Sequence, residues 1–441
     1  MLNGIFVFIA LVSILLAGYT GRMDVLTQGI LTDAKKAVEL AIGLVGVMAF
    51  FLGLMQVAQD GGLLRTVARA VSPLMRRLFP SVPVGHPAME AMILNISSNM
   101  LGLANAATPF GIKAMEQLNK LNSRTGTATN DMVLFLAINT AGLAILPSGV
   151  VGLRASLGSQ DAYGIFFPTW FASGTATVIG IGAAFLLSRL PRYRATAPPP
   201  LDADAETVGL ETEASDGSAA EESDLRVSLR TPPRFGKLVV VLYWIVFGIV
   251  LVRHVVRETA TAPWLDVLRG VMSFWVLAAL VGGLILFGWS RGVKVYESLV
   301  EGAKDGFQVA LRIIPFLVAI LVAVGMLRSS GGIDLIVGSI GPWTGRLGLP
   351  AEALPMALLR PLSGSGAFGI MAEIMTEHGA DSFIGYLVST FQGSTETTFY
   401  VLAVYFGAVG VKETRHALPA CLLADTAGIV AAVFIVNVFF G

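Results

Sequence analysis

Read for its hydrophobic and polar positions, the chain is a succession of apolar runs, several of which are interrupted in the middle. Uninterrupted runs at 2–18, 41–58, 163–190, 238–252, 271–289, 313–327 and 418–440 have the length and character of membrane helices. The first has no Lys or Arg before it and no small-x-small cleavage pattern after it, so it predicts a helix rather than a leader. Mixed-polarity stretches beside these runs predict helices lying along the interface. They are the region of Lys35 and Lys36, 63–78 with Arg65, Arg69, Arg76 and Arg77, and 296–309. Residues 332–347 are semi-polar.

Four segments break the apolar pattern. Residues 86–117 hold Glu90, Asn95, Ser97, Ser98, Asn99, Asn105 and Thr108, with Gly102, Pro109 and Gly111 as breakers. Residues 132–153 carry Asn139 and Thr140 ahead of Pro147-Ser148-Gly149, and 354–375 contains Arg360, Ser363 and Ser365. The fourth, Gln392-Gly393-Ser394-Thr395-Glu396-Thr397-Thr398, interrupts a run long enough to cross a bilayer. A charge at membrane depth costs at least ~2.5–3.5 kcal/mol unless a partner or water receives it. Irregular backbone is tolerated there only against protein or an aqueous pocket. Broken or re-entrant helices are therefore expected at all four. Small residues also serve as helix-packing faces, which accounts for Gly393 and the hydroxyls but not for Gln392 and Glu396 together. Arg360 and Glu396 are expected to pair, so that Glu396→Gln strands the arginine. Asp425, inside the last run, is either a proton or cation site, a helix cap, or the partner of a nearby basic residue.

Composition settles the class. Of 441 residues, 54% are hydrophobic and 14% charged, against roughly 25% charged in soluble domains, so the chain is an integral membrane protein. Thirty basic and 30 acidic residues give no net charge and no nucleic-acid surface. The single Cys421 excludes an intrachain disulfide, and His86, His254, His378 and His416 lack metal-ligand spacing. Gly364-Ser365-Gly366-Ala367-Phe368-Gly369 spells a dinucleotide fingerprint, but no strand precedes it and no acid follows at the required distance. The Asn95-Ile96-Ser97 sequon lies inside an apolar segment, and no P-loop occurs. Neither a cofactor nor a catalytic constellation is expected.

Residues 191–235 change character: Pro198-Pro199-Pro200 leads into an Asp, Glu, Ala, Ser and Thr run too poor in apolar residues to fold. Basic flanks (Arg189, Arg192, Arg194, then Arg226, Arg230, Arg234, Lys237) place this linker in the cytoplasm. On either side lie related halves, 1–190 and 236–441. Pro73 with Arg77-Leu78 recurs 269 positions on as Pro342 with Arg346-Leu347; Asn95 to Asn99 corresponds to Arg360 to Ser365, and Asn139-Thr140 to Gln392-Gly393. Paired interrupted segments point to a midplane site in a transporter. Whether the halves are parallel or inverted is open at this level.

Longer strings carry a family resemblance. His86-Pro87-Ala88-Met89, Asn105-Ala106-Ala107-Thr108-Pro109, Gly111-Ile112-Lys113-Ala114-Met115-Glu116-Gln117 and Ile138-Asn139-Thr140 resemble the A type of the spore maturation proteins. Glu301-Gly302-Ala303-Lys304, Arg328-Ser329-Ser330-Gly331, Arg360-Pro361-Leu362-Ser363-Gly364, Gln392 to Tyr400 and Tyr405-Phe406-Gly407 resemble the B type. The resemblance covers nearly everything but the linker. It implies a fused pair of Gate, or nucleoside-recognition, halves in a multi-pass bacterial plasma-membrane protein that moves a small solute.

The expected fold is thus an all-α polytopic membrane protein with two related halves, broken or re-entrant helices and a polar midplane cavity. Asn95, Ser97, Asn99, Asn105, Asn139 and Thr140 would face Arg360, Ser363, Ser365, Gln392, Ser394, Thr395 and Glu396 across it. Amides and hydroxyls suit a hydrogen-bonding solute such as a nucleoside, and Arg360 suits an anionic group. Coupling to protons or Na⁺ through Glu396 or Asp425, and a homo-oligomeric state, stay open. The rival reading is a membrane scaffold whose polar segments glue helices or dock a partner.

Overall fold

A computed structural model describes residues 2–83, 85–102, 104–145, 147–199 and 234–441. Most of the expected linker lies outside them, Arg226 and Arg230 included. The first half contains α1 (Leu2–Thr20), α2 (Met23–Asp60), α3 (Leu63–Leu78), α4 (Pro87–Met100), α5 (Ala104–Lys120), α6 (Asn130–Thr140), α7 (Ser148–Ser156), α8 (Phe166–Ser188) and the single-turn α9 (Pro191–Arg194). The second contains α10 (Arg234–Glu258), α11 (Trp264–Gly270), α12 (Val276–Ser290), α13 (Val295–Ser329), α14 (Gly332–Thr344), α15 (Leu354–Leu359), α16 (Gly364–His378), α17 (Phe383–Ser394), α18 (Thr398–Ala408) and α19 (Ala417–Phe440). No strand occurs among the described residues. Five of their helices are long and apolar enough to cross a membrane, and the bent pair 317–339 makes a sixth if it counts as one span. The chain is an all-α, multi-pass membrane protein.

Two expectations need correction. The stretches around Lys35–Lys36 and 296–309 are not separate interfacial helices. Each continues straight into its neighbouring run, giving α2 with 38 residues and α13 with 35. In α2 no proline separates polar from apolar portions, and in α13 the helix runs on through Pro315 near that boundary, because each added residue extends a helix already formed. At 1.5 Å per residue both exceed 50 Å, far more than the ~30 Å hydrocarbon layer, and their charged ends extend beyond it. Glycines let the two approach closely: a Cβ on Gly53 would stand 2.5 Å from the Leu299 carbonyl oxygen, and one on Gly302 2.7 Å from that of Leu52.

The halves are inverted. α2 and α13 run antiparallel, with Ser298 Oγ donating to Asp60 Oδ2 (2.6 Å) at one end and Arg328 Nη2 3.5 Å from Asp33 Oδ1 at the other. Likewise α8 and α19 are antiparallel: Phe167 meets Phe439 near one end, with ring centroids 5.1 Å apart, and Tyr193 meets His416 at the other at 5.5 Å. The repeat is visible in backbone detail. Gly62 and Gly331 both adopt positive φ (75° and 84°) ahead of α3 and α14, at the same 269-residue offset as the helix-internal Pro73 and Pro342. Thr129 and Ser382, 253 positions apart, cap α6 and α17 by accepting from Met132 N and Gly385 N.

Candidate functional site

α6 and α17 enter the protein from opposite ends. The start of α6 lies beside the start of α19, where Arg415 donates to Asn130 Oδ1 (2.9 Å). The start of α17 lies at the far end of α19, where Tyr386 stacks on Phe440 at 3.7 Å. Their C-terminal ends meet: the Glu396 amide donates to the Thr140 carbonyl at 2.8 Å. Each helix then breaks before α7 or α18. The approach at the breaks is close, since Gly142 has φ +57° and a Cβ there would stand 2.9 Å from Glu396 N.

Each break is held by the bend preceding it in the same half. α4 and α5 form a hairpin around Gly102 (φ +72°), and its tip accepts a hydrogen bond at Met100 O from Ile145 N of the first break, at 2.8 Å. Likewise the bend between α15 and α16 accepts at Pro361 O from Phe399 N, one residue into α18, at 3.1 Å. Backbone groups freed by broken helices thus find partners in the matching bend of their own half.

Side chains at this meeting point form two groups. In the first half, Asn95 Nδ2 donates to Ala107 O (2.7 Å) and to the Tyr405 hydroxyl (3.1 Å). Asn99 Nδ2 donates to Asn139 Oδ1 (2.9 Å), which also accepts from Tyr405 (3.4 Å). Tyr405 thereby ties α18 of the second half into the α4–α5 hairpin of the first; Gly111 admits it, because any Cβ there would overlap the hydroxyl. In the second half, the buried Arg360 guanidinium donates to Thr397 Oγ1 (3.0 Å), Gln392 O (3.3 Å) and Thr395 O. These are groups left over where α17 ends, and a cation is favourable at a helix C-terminus.

The expected Arg360–Glu396 pair exists, but at 3.9 Å and with the Glu396 side chain 55% exposed. Glu396 is a peripheral partner, because Arg360 reaches carbonyl oxygens first. Asp425 is buried and accepts from Thr398 Oγ1 at 2.6 Å, so it is tied to the first turn of α18. Ser363 caps α16 by accepting from Gly366 N (3.0 Å), and Ser394 Oγ returns its proton to Phe391 O (3.3 Å). Ser365 is exposed on α16, while Ser97 and Thr140 are buried at the first-half group. The Asn105 side chain lies outside the described residues. Several buried polar atoms here have no hydrogen-bond partner among the described residues: Asn95 Oδ1, Ser97 Oγ, Gln392 Oε1 and Asp425 Oδ1.

Sequence reasoning missed Tyr405, Thr397 and two arginines. Tyr405 sits in an apolar run and reads as core. Arg154 and Arg415 read as ordinary loop-proximal charges. Yet Arg154 is fully buried; it donates to Ala380 O (2.7 Å), Ser389 Oγ (3.2 Å), Asp161 O (3.0 Å) and Asp381 Oδ1 (3.0 Å), and lies 4.3 Å over the Tyr386 ring. Arg415, at φ 51°, donates to Ala128 O (3.0 Å), Asn130 Oδ1 and Tyr193 O (2.6 Å).

An inverted pair of halves whose broken helices meet at their C-termini defines a class, and comparison with known proteins gives it a family. The nucleoside-recognition (Gate) family model matches residues 41–157 and 310–412, one region in each half. Spore maturation protein B of Bacillus subtilis (strain 168) is 47% identical over 170 residues, which is 38% of this chain and 96% of that protein. Spore maturation protein A of the same organism is 37% identical over 194 residues, 44% of this chain and 97% of that protein. The chain belongs to the spore maturation protein family, with the two types matched to different parts of one polypeptide.

Proposed function

We propose that the protein is a transporter or channel for a small polar solute in the bacterial plasma membrane, with the solute bound where the two breaks meet. One observation carries this reading: buried amide, hydroxyl and carboxyl atoms without partners among the described residues gather at the junction of two inverted, broken helices. Left unpaired, each such atom costs about 1–3 kcal/mol, and a hydrogen-bonding solute relieves that cost. The α4–α5 hairpin and the α15–α16 bend act as re-entrant elements around a polar midplane site, as in transporters built from inverted repeats. Asn95, Asn99, Asn139 and Gln392 offer amides to a nucleoside-like solute, and Arg360 offers a guanidinium to an anionic group. Glu396, half in water, and Asp425, buried beside Thr398, are the coupling candidates for a proton or Na⁺.

The test is thermal stabilisation of the purified protein by nucleosides, small dicarboxylates and cations, beside a Gln392→Ala/Glu396→Ala variant. A ligand that stabilises the wild type and not the variant supports the reading. If no ligand shifts either protein, the scaffold reading takes over. The Asn99–Asn139 and Ser363–Gly366 hydrogen bonds, which glue elements together without any solute, favour that alternative.

A further inference from the structure

The end of the molecule that bears the start of α19 also carries α3, since Ser81 Oγ, just past α3, donates to Asp131 Oδ2 in the first turn of α6 (2.7 Å). At that end, α3 and the start of α4 enclose a cavity of about 590 Å³. Arg65, Arg69 and Arg76 line it. Their spacing of four and seven residues puts them on one face of α3. None of the three pairs with a carboxylate among the described residues, and Glu90 is the acid among the described lining residues. The inner wall is apolar, formed by Met89, Ile93 and Leu94 of α4. α3 itself has arginines on one side and buried Leu64 and Met75 on the other, the pattern of a helix lying in the headgroup layer.

We propose that this cavity is a phosphate-binding site filled from the membrane by the headgroup of an anionic phospholipid. Three guanidinium forks without carboxylate partners among the described residues match phosphate oxygens in geometry and charge. The apolar wall accommodates the glyceride portion, which a free phosphate lacks. Ile93 and Leu94 immediately precede Asn95, so a lipid seated here presses on the helix that carries Asn95 and Asn99. The site is independent of whether a solute crosses the protein.

The experiment uses the full chain in nanodiscs of phosphatidylcholine alone or mixed with phosphatidylglycerol, with soluble glycerol phosphate as a third arm. Unfolding temperature and lipid retention in native mass spectrometry are both read. Phosphatidylglycerol is expected to raise the wild-type unfolding temperature by about 4 °C. The Arg65→Gln/Arg69→Gln/Arg76→Gln variant is expected to lose that rise and the retained lipid, while matching the wild type in phosphatidylcholine. Arg-to-Lys replacements at the same positions, which keep charge but not the fork, are expected to keep less than half the rise; full retention by them would reduce the site to general surface charge and overturn the proposal. An equal rise in the wild type and the Gln variant also overturns it. A rise with glycerol phosphate as large as with the lipid overturns the membrane source. If the triple variant fails to fold, Arg69→Gln alone carries the lipid-retention test, and undiminished retention counts against the site.

Discussion

Arg154 and Arg415 hold reciprocal positions: each lies at the end of the second helix of its own half's break and grips the turn that opens the other half's α17 or α6. Arg154, in the last turn of α7, binds Ala380 O and Asp381 in the turn before α17. Arg415, just beyond α18, binds Ala128 O and Asn130 around the cap of α6. Neighbouring backbone doubles each grip, through Gln160 N on Asp381 Oδ2 (2.7 Å) and Ala128 N on Glu413 O (3.0 Å). The two sites sit at opposite ends of the 24-residue α19, about 36 Å apart.

Arg154→Ala is expected to lower stability by about 3 kcal/mol, because it leaves Ala380 O and Asp381 without their buried donor. Arg415 is only part-buried, and its loss is expected to cost about 1–2 kcal/mol. Denaturation of single and double variants in detergent checks both, and the two losses should add within ~0.5 kcal/mol across that distance. Strong non-additivity would show the two ends to be linked through one conformational equilibrium.

Glu396→Gln should be mild and Arg360→Gln severe. The carboxylate is more than half exposed and 3.9 Å away, whereas the guanidinium satisfies three acceptors, two of them in buried contacts. The expected losses are under 1 kcal/mol and about 3 kcal/mol respectively. Equal losses in a chemical denaturation series would restore the ion pair to first importance.

Gly142→Ala should damage the junction, because it combines a positive φ with a Cβ 2.9 Å from Glu396 N. The strain alone is worth about 1–2 kcal/mol, and moving residue 396 breaks its hydrogen bond to Thr140. Gly174→Ala is the control: a Cβ there meets nothing within 4 Å, and no loss is expected. Melting temperatures of the two variants decide the matter.

Stability should fall on mild acidification through His416. Burial pushes its imidazole down to about 4, with Arg415 acting in the same direction. Below the ordinary value near 6.5 the unfolded chain takes up a proton that the folded protein refuses, so stability is full above 6.5 and is lost as pH falls toward 4. The slope has a ceiling of about 1.4 kcal/mol per pH unit. A His416→Gln variant should flatten the stability profile in that window.

Much of this was legible in the chain. The break between α17 and α18 was readable because Gln392 to Thr398 contradict their apolar surroundings, whereas Asn95 to Asn99 stay helical within α4 and the chain bends after them at Gly102; the repeat offsets of Pro73/Pro342 and Asn139/Gln392 survive in three dimensions. The inversion was not readable, since a repeat in sequence says nothing about the sense in which each copy runs. α2 and α13 were underestimated because polarity marks where a helix leaves the membrane, not where it stops. Tyr405 and Arg154 escaped notice for a common reason. Most of their partners lie in the other half, more than 200 residues away: Asn95 and Asn139 for Tyr405, and Ala380, Asp381 and Ser389 for Arg154.

The antiparallel course of α2 and α13 also constrains how the chain is made. The second half has to enter the bilayer in the opposite sense to the first, although one ribosome delivers both. Arg189, Arg192 and Arg194 close the first half, and Arg234 and Lys237 open the second. A charge cluster retained on the synthesising side works equally well as the last anchor of one insertion and the first of the next. Removing a single crossing between α2 and the linker, with both clusters kept on that side, would turn α2 parallel to α13, and the glycines of α2 would no longer find those of α13.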